Sequence, residues 1–420
     1  MSPIRPTVQV IGSRASPEAH GLRDFLTRSA QPYEFHDRAS SEGERLLALA
    51  GAANAELPVV IDGDTVHPGA TPKGIADAWS IGSRPSRTHY DMAIIGAGPA
   101  GLAAAVYAAS DGLSTVVFER DVPGGQASHT SRIENFFGFP DGIGGAELAR
   151  RAGRQAERFG AELLILNGVA HGRIAEGKAR LRGDTDDEIT ADVTLAAPGM
   201  VWRRLEVEGT DDLLGRGVYY GAGRSEATGS AGDDVVVVGA GNSAGQATLH
   251  LADSGARVQM LVRGDTLGKS MSSYLVERIE QHPLVKVRLR TRVTELHESE
   301  RCLEAVTLED AEGPDERVPA KSLFICLGGE PRTGWAAEAG VRTDAAGYLL
   351  TGPDLLEDGH RPERWRLDRD PLVLETSIPG FFAAGDVRHG STKRVGGAVG
   401  EGAMAAALAH RRFHELAGAG

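Results

Sequence analysis

Asp91-Met-Ala-Ile-Ile-Gly-Ala-Gly-Pro-Ala-Gly101 is the stretch that decides the fold. Met92 to Ile95 form an apolar run that reads as a buried strand, and the glycines after it open directly into an alanine-rich helix ending at Asp111-Gly112. A second apolar strand follows at Thr115 to Phe118. In such a strand–helix–strand unit Gly96 turns the chain, Gly98 lets the backbone approach a pyrophosphate, and Gly101 allows close packing of helix on strand. Unpaired amides at the helix start, around Pro99 and Ala100, favour an anion there.

The pattern recurs as Asp234-Val-Val-Val-Val-Gly-Ala-Gly-Asn-Ser-Ala244, followed by a helix ending at Ser254-Gly255 and a strand over Val258 to Val262. Where the two copies would meet a ribose they differ. Glu119 stands about 20 residues after the first fingerprint, where a carboxylate accepts hydrogen bonds from a ribose diol. This copy, with neighbouring Arg120, suits the adenosine half of FAD. The second copy has Val262 and then Arg263 at the equivalent place, and Ala244 replaces the third glycine. A guanidinium there, with Lys269 further on, suits a 2′-phosphate. NADPH is therefore expected over NADH, held by Gly239, Gly241, Asn242, Ser243 and Ala244.

Further motifs follow in order: Pro123-Gly124-Gly125-Gln126, Ile133-Glu134-Asn135-Phe136-Phe137-Gly138-Phe139-Pro140, Ala197-Pro198-Gly199, Gly328-Gly329-Glu330-Pro331-Arg332-Thr333 and Gly380-Phe-Phe-Ala-Ala-Gly-Asp386. With them the stretch 90–420 resembles the low-molecular-weight thioredoxin reductases. The resemblance implies that Gly125, Gln126 and Asn135 line a flavin and that Ala197 marks the crossing into the second nucleotide domain. It also implies that Gly385 and Asp386 meet the ribitol side. Arg394 and Val395 would open a Gly/Ala-rich helix whose positive end faces the flavin carbonyl, where charge collects on reduction. A homodimer is implied as well.

Three departures limit the resemblance, one of them at the 2′-phosphate place, where the family presents two adjacent arginines and a third shortly after but this chain has Arg263, then Gly264, with Lys269 further on. The family's CxxC place reads Gly221-Ala222-Gly223-Arg224, and the chain holds only two cysteines, Cys302 and Cys326, far apart in strand-like runs. No thiolate can attack a disulfide there. The polar segment 353–370 looks like an insertion and is expected to be a solvated loop.

Residues 1–83 form a separate unit, read as strand, helix, strand, helix, strand, with Pro58 opening the third strand and Gly63-Asp64 as a hairpin turn. It resembles a glutaredoxin or thioredoxin-type domain, yet Gly12-Ser13-Arg14-Ala15-Ser16-Pro17 stands where that family carries its thiols. The expected organisation is α/β throughout. It comprises the 1–83 domain, a linker over 84–89, a discontinuous FAD domain over 90–204 and 328–420, and a NAD(P)H domain over 205–327, the last two built on Rossmann-like parallel sheets.

A formal charge of −13 with scattered Lys and Arg argues against nucleic acid. No apolar run is long enough for a membrane span and the first residues lack the core of a signal peptide, so a cytoplasmic location is expected. No metal site can be written. With no thiols at the CxxC place, four readings stay open: an NAD(P)H-dependent reductase serving a small molecule or redox protein; an oxidase or dehydrogenase of an organic substrate with a vestigial NADPH site; a flavin-binding regulatory or scaffold protein; and a disulfide enzyme borrowing thiols from another chain. His129, Tyr219, Tyr220, Arg224 and His389 are the polar candidates near the flavin, placed by motif proximity alone.

Overall fold

The computed structural model describes residues 6–14, 16–82, 84–130, 132–175, 178–221, 230–269, 271–311, 313–363 and 365–418. The N-terminal unit runs β1 (Val8–Gly12), α1 (Pro17–Arg28), β2 (Tyr33–Asp37), α2 (Ser41–Leu49), β3 (Val59–Asp62), β4 (Thr65–His67) and α3 (Pro72–Ala78). Each helix starts where a hydroxyl takes an orphan amide: Ser16 accepts from Ala19 N, Ser40 from Gly43 N and Thr71 from Gly74 N. The sheet order is β2-β1-β3-β4, with β2 parallel and β3 antiparallel to β1. Leu22, Phe25 and Leu26 of α1 fill its core, which Val122 from the next unit completes.

The first strand of that next unit, β5 (His89–Ile95), takes in His89 from the expected linker. There follow α4 (Pro99–Ser110), β6 (Thr115–Glu119), α5 (Gly145–Arg158), β7 (Glu162–Ile165), β8 (Val169–Ala175), β9 (Lys178–Gly183) and β10 (Glu188–Ala196). Two-residue β11 (Val201–Trp202) leads out, and the chain then forms β12 (Val218–Tyr220), β13 (Asp234–Val238), α6 (Asn242–Asp253), β14 (Arg257–Val262), α7 (Ser273–Gln281) and β15 (Val285–Leu289). An antiparallel layer of β16 (Thr291–Ser299), β17 (Cys302–Asp310) and β18 (Glu316–Pro319) precedes β19 (Ser322–Ile325). The return strand β20 (Gly329–Glu330) pairs antiparallel with β11, so the two crossings lie side by side. Then come α8 (Gly334–Ala339), β21 (Phe381–Ala383) and the 24-residue α9 (Val395–Gly418).

The first large sheet has the order β7-β6-β5-β10-β9-β8, with β21 also against β10. The second is the parallel β12-β19-β13-β14-β15. In each, the strand before the glycine fingerprint sits where the strand order reverses, and there the carboxyl ends of the strands leave a crevice for ligand. Helices α4 and α9 pack face to face because α9 is small where they cross. A Cβ at Gly402 would stand 2.0 Å from the Ala100 carbonyl oxygen, so only glycine permits that approach.

The 353–370 segment departs at its end from the expected solvated loop. Trp365 is buried, its indole NH donates to Arg369 O (2.6 Å), and the Arg369 guanidinium bonds Glu375 (2.6 Å) and Glu415 of α9. An indole and a guanidinium with those partners tie the end of the segment to the core, while most of 353–363 lies in water as expected.

Candidate functional site

The first glycine loop and the start of α6, just past the second, open onto one cavity of about 300 Å³, which Gly239, Gly241 and Ala244 do not line. From the first fingerprint it takes Gly96, Gly98, Pro99, Ala100 and, from the strand end, Glu119. From the second it takes Asn242 and Ser243. Gly125, Gln126, Asn135 and Ala197 line it as well, as do Gly385, Asp386, Arg394 and Val395, so those residues from well-separated motifs are brought together. Gly101 lies behind the loop, where a Cβ would stand 1.8 Å from Gly96 O. Gly239 (φ +147) turns the second loop in the same way as Gly96 (φ +100) turns the first.

The loops fit a pyrophosphate. Gly98 and Gly241 are the N-cap residues of α4 and α6, neither helix start receives a side-chain cap, and a Cβ at either glycine would meet nothing within 4 Å. Amides of the first helical turn are thus left for an anion. Ala244 on α6 packs where Gly101 packs on α4, and Asn242 holds the second loop by accepting from Ser272 N (2.8 Å).

Glu119 accepts from Ala97 N (2.7 Å) and Asp121 N (2.9 Å), which uses about two of the four lone-pair positions of a carboxylate. Burial pushes its pKa up against those two amide bonds, so a ribose hydroxyl donating to it would stabilise the ionised form. Burial likewise raises the Asp386 carboxyl, with Lys393 opposing. Glu401 of α9 receives Gly385 N (2.7 Å) and the Arg388 guanidinium (2.6 Å), which fixes the 385–386 turn against the start of α9. Glu401 did not stand out in the sequence.

A second cavity of about 1200 Å³ adjoins the first, and Gln126, His129, Trp202 and Gly221 line both. Arg120, Tyr219 and Tyr220 belong to it, and the Tyr220 hydroxyl accepts from Leu205 N (3.3 Å). His389 lines neither cavity; its Nδ1 meets Asp344 Oδ2 at 2.7 Å. Arg263 and Lys269 are exposed beyond both, and Arg224 lies outside the described residues.

Sequence reasoning missed the wall contributed by α1. Its Arg28 is buried and bonds Asp121 (2.5 Å), Asp24 (3.2 Å) and Ser128 Oγ (3.0 Å). Burial works to lower the Arg28 pKa, but the Asp121 and Asp24 carboxylates outweigh it and hold the guanidinium above its ordinary value. Arg28→Ala should weaken the seating of the N-terminal unit by about 2 kcal/mol, the scale of hydrogen bonds to charged groups. Faster proteolytic cutting near residues 84–88 reads this out; an unchanged cutting rate would show that Arg28 does not hold the unit.

Residues 90–402 match the family model for pyridine nucleotide-disulphide oxidoreductases, so the N-terminal unit falls outside the match. The chain is 33% identical over 332 residues to a thioredoxin reductase of Bacillus subtilis (strain 168), covering 78% of this chain and 96% of that one. A thioredoxin reductase of Pneumocystis carinii is 30% identical over 342 residues, with 78% and 97% covered. Among solved structures, T. acidophilum thioredoxin reductase aligns with a TM-score of 0.68 at 26% identity, covering 78% of this chain and all of that one (100%). Lactococcus lactis thioredoxin reductase gives 0.68 at 28%, with 78% and 99% covered.

Proposed function

The chain belongs to the pyridine nucleotide-disulphide oxidoreductase family and has the thioredoxin reductase type of α/β fold, and from that premise we propose that it is an FAD-dependent oxidoreductase that draws electrons from NAD(P)H and passes them, without an internal dithiol, to a small-molecule or protein acceptor. The observation that carries this reading is the single cavity shared by the first glycine loop and the start of α6, with no usable thiol in it. Cys326 is its one cysteine among the described residues, and burial pushes that thiol up to about 12, where it stays protonated at neutral pH. Cys302 is a lone residue at the start of β17.

FAD, when bound, would supply the centre that accepts a hydride and releases electrons. Gly96, Gly98 and the start of α4 would hold its pyrophosphate and Glu119 its ribose. Asp386, Arg394 and the start of α9 would face the flavin end. Gly241, Asn242 and Ser243 would take the pyrophosphate of the nicotinamide nucleotide, with Arg263 and Lys269 reaching a 2′-phosphate. The N-terminal unit is a cysteine-free domain of glutaredoxin or thioredoxin type, a reading its β2-β1-β3-β4 order supports, and it docks rather than transfers electrons. A homodimer in the cytoplasm, without nucleic-acid or membrane partners, belongs to the same reading; no described helix is long and apolar enough to cross a membrane.

Anaerobic rapid mixing tests it. NADPH should bleach the flavin fast, and Arg263→Ala should slow NADPH roughly ten-fold while leaving NADH unchanged, the worth of one guanidinium–phosphate contact. Equal effects on both nucleotides would remove Arg263 from the site. The roomy second cavity favours one other reading, in which an organic substrate donates the electrons. Bleaching by such a compound and not by either nucleotide would select it.

A further inference from the structure

Helix α1 carries Pro17, His20 and Asp24 on one stripe, three and then four residues apart, and all three line the large cavity. Its opposite face, Leu22 and Phe25 with Leu26, is sunk in the N-terminal core. The stripe faces rings from both other units. His20 packs against Tyr219 with centroids 5.1 Å apart, and His129 meets Trp202 edge-on at 6.0 Å. His129 Nδ1 stands 3.8 Å from Asp24 Oδ1. Trp335 lies on the same cavity from α8. A Cβ placed on Gly221 would touch Trp202 (3.6 Å) and His129 (3.9 Å), so the first position of the absent thiol pair looks onto this wall. The cavity, about 1200 Å³, exceeds the range of roughly 300–1,000 Å³ usual for one ligand, and leaves space beyond an adenosine lying by Glu119.

Resting on the function proposed above, we propose that this chamber binds a planar conjugated dicarbonyl of the quinone class, and that the N-terminal unit is part of the site. Trp202 and Trp335 give the chamber aromatic surface that suits a flat ring by stacking, while Tyr219, already stacked on Phe324 at 5.4 Å, walls it beside His20. A quinone needs protons as well as electrons, and His129, held beside Asp24, is placed to give one. The balance is NAD(P)H plus H⁺ plus quinone to NAD(P)⁺ plus hydroquinone. Both C=O bonds become C–OH, the two electrons come from the nucleotide, and water restores the imidazole proton.

Two measurements decide it on the flavin-loaded protein. Titration of the oxidised protein with 1,4-naphthoquinone should quench tryptophan fluorescence saturably, and His20→Ala or Tyr219→Ala should weaken that binding roughly ten-fold. With the flavin reduced by dithionite, His129→Gln should slow reoxidation by naphthoquinone about 100-fold, while ferricyanide, which takes electrons without protons, stays within about two-fold. Absent or unsaturable quenching, binding unaffected by both ring variants, or equal slowing with the two oxidants would overturn the proposal. Because dithionite replaces the nucleotide, a flavin that NADPH cannot reduce sinks the proposed function while leaving the chamber to be judged on its own.

Discussion

Arg369→Ala is expected to cost about 3 kcal/mol of stability, near the lower end of what breaking a buried ion pair costs. Glu375 is fully buried, and its carboxylate keeps only Leu372 N (3.0 Å) and Gly380 N (2.8 Å) once the guanidinium is gone. A charge left inside with two amides is the unfavourable product. Glu375→Gln in the Arg369→Ala background should recover much of the loss, because a neutral amide still accepts from one of those donors. Arg369 also bonds Glu415, and that hydrogen bond holds the Glu415 carboxyl below its usual 4.5 against the opposing effect of burial. This share of the stability is present above about pH 4.5 and fades as pH falls through the lowered folded value. Urea unfolding of the parent, both single variants and the double gives the coupling. A loss under about 1 kcal/mol would place Arg369 among ordinary surface cations.

The second large effect is loss of flavin in Gly96→Ala. The backbone there has φ +100, and an added Cβ would stand 2.4 Å from the Ala197 carbonyl oxygen and 2.9 Å from Pro198 Cα. Neither neighbour is a side chain that can swing away, so the loop itself must move, at a cost of order 1–3 kcal/mol. The purified variant should come out nearly colourless. Gly98→Ala is the informative partner: its φ of −69 suits any residue and its Cβ meets nothing within 4 Å. It should leave stability within about 0.5 kcal/mol while putting a methyl group where the pyrophosphate comes closest. If both variants retain FAD as the parent does, the cradle has been assigned to the wrong loop.

The parts of the site that were legible in the sequence are those that sterics impose. Gly96 and Gly101 could be read because a tight turn and a close approach of loop and helix each exclude a side chain at a fixed spacing. Glu119 could be read because the strand between it and the loop has one length. The α1 wall could not, since the polar stripe of His20 and Asp24 looks like any solvated helix face until Arg28 is seen bonded to Asp121 and Ser128. Proximity in sequence misled at His389, only three residues past Asp386, because the chain turns it toward Asp344. Trp365 hid its burial among charges of which Arg369 alone, among the described residues, turns inward to Glu375.

Helix α1 touches both Rossmann-like units at once, through Arg28 on the 121–128 segment and through His20 on Tyr219. Any rotation of β12 away from the 121–128 segment would therefore part the imidazole from the phenol while the guanidinium anchor holds. The N-terminal unit would then act as a brake on any such motion.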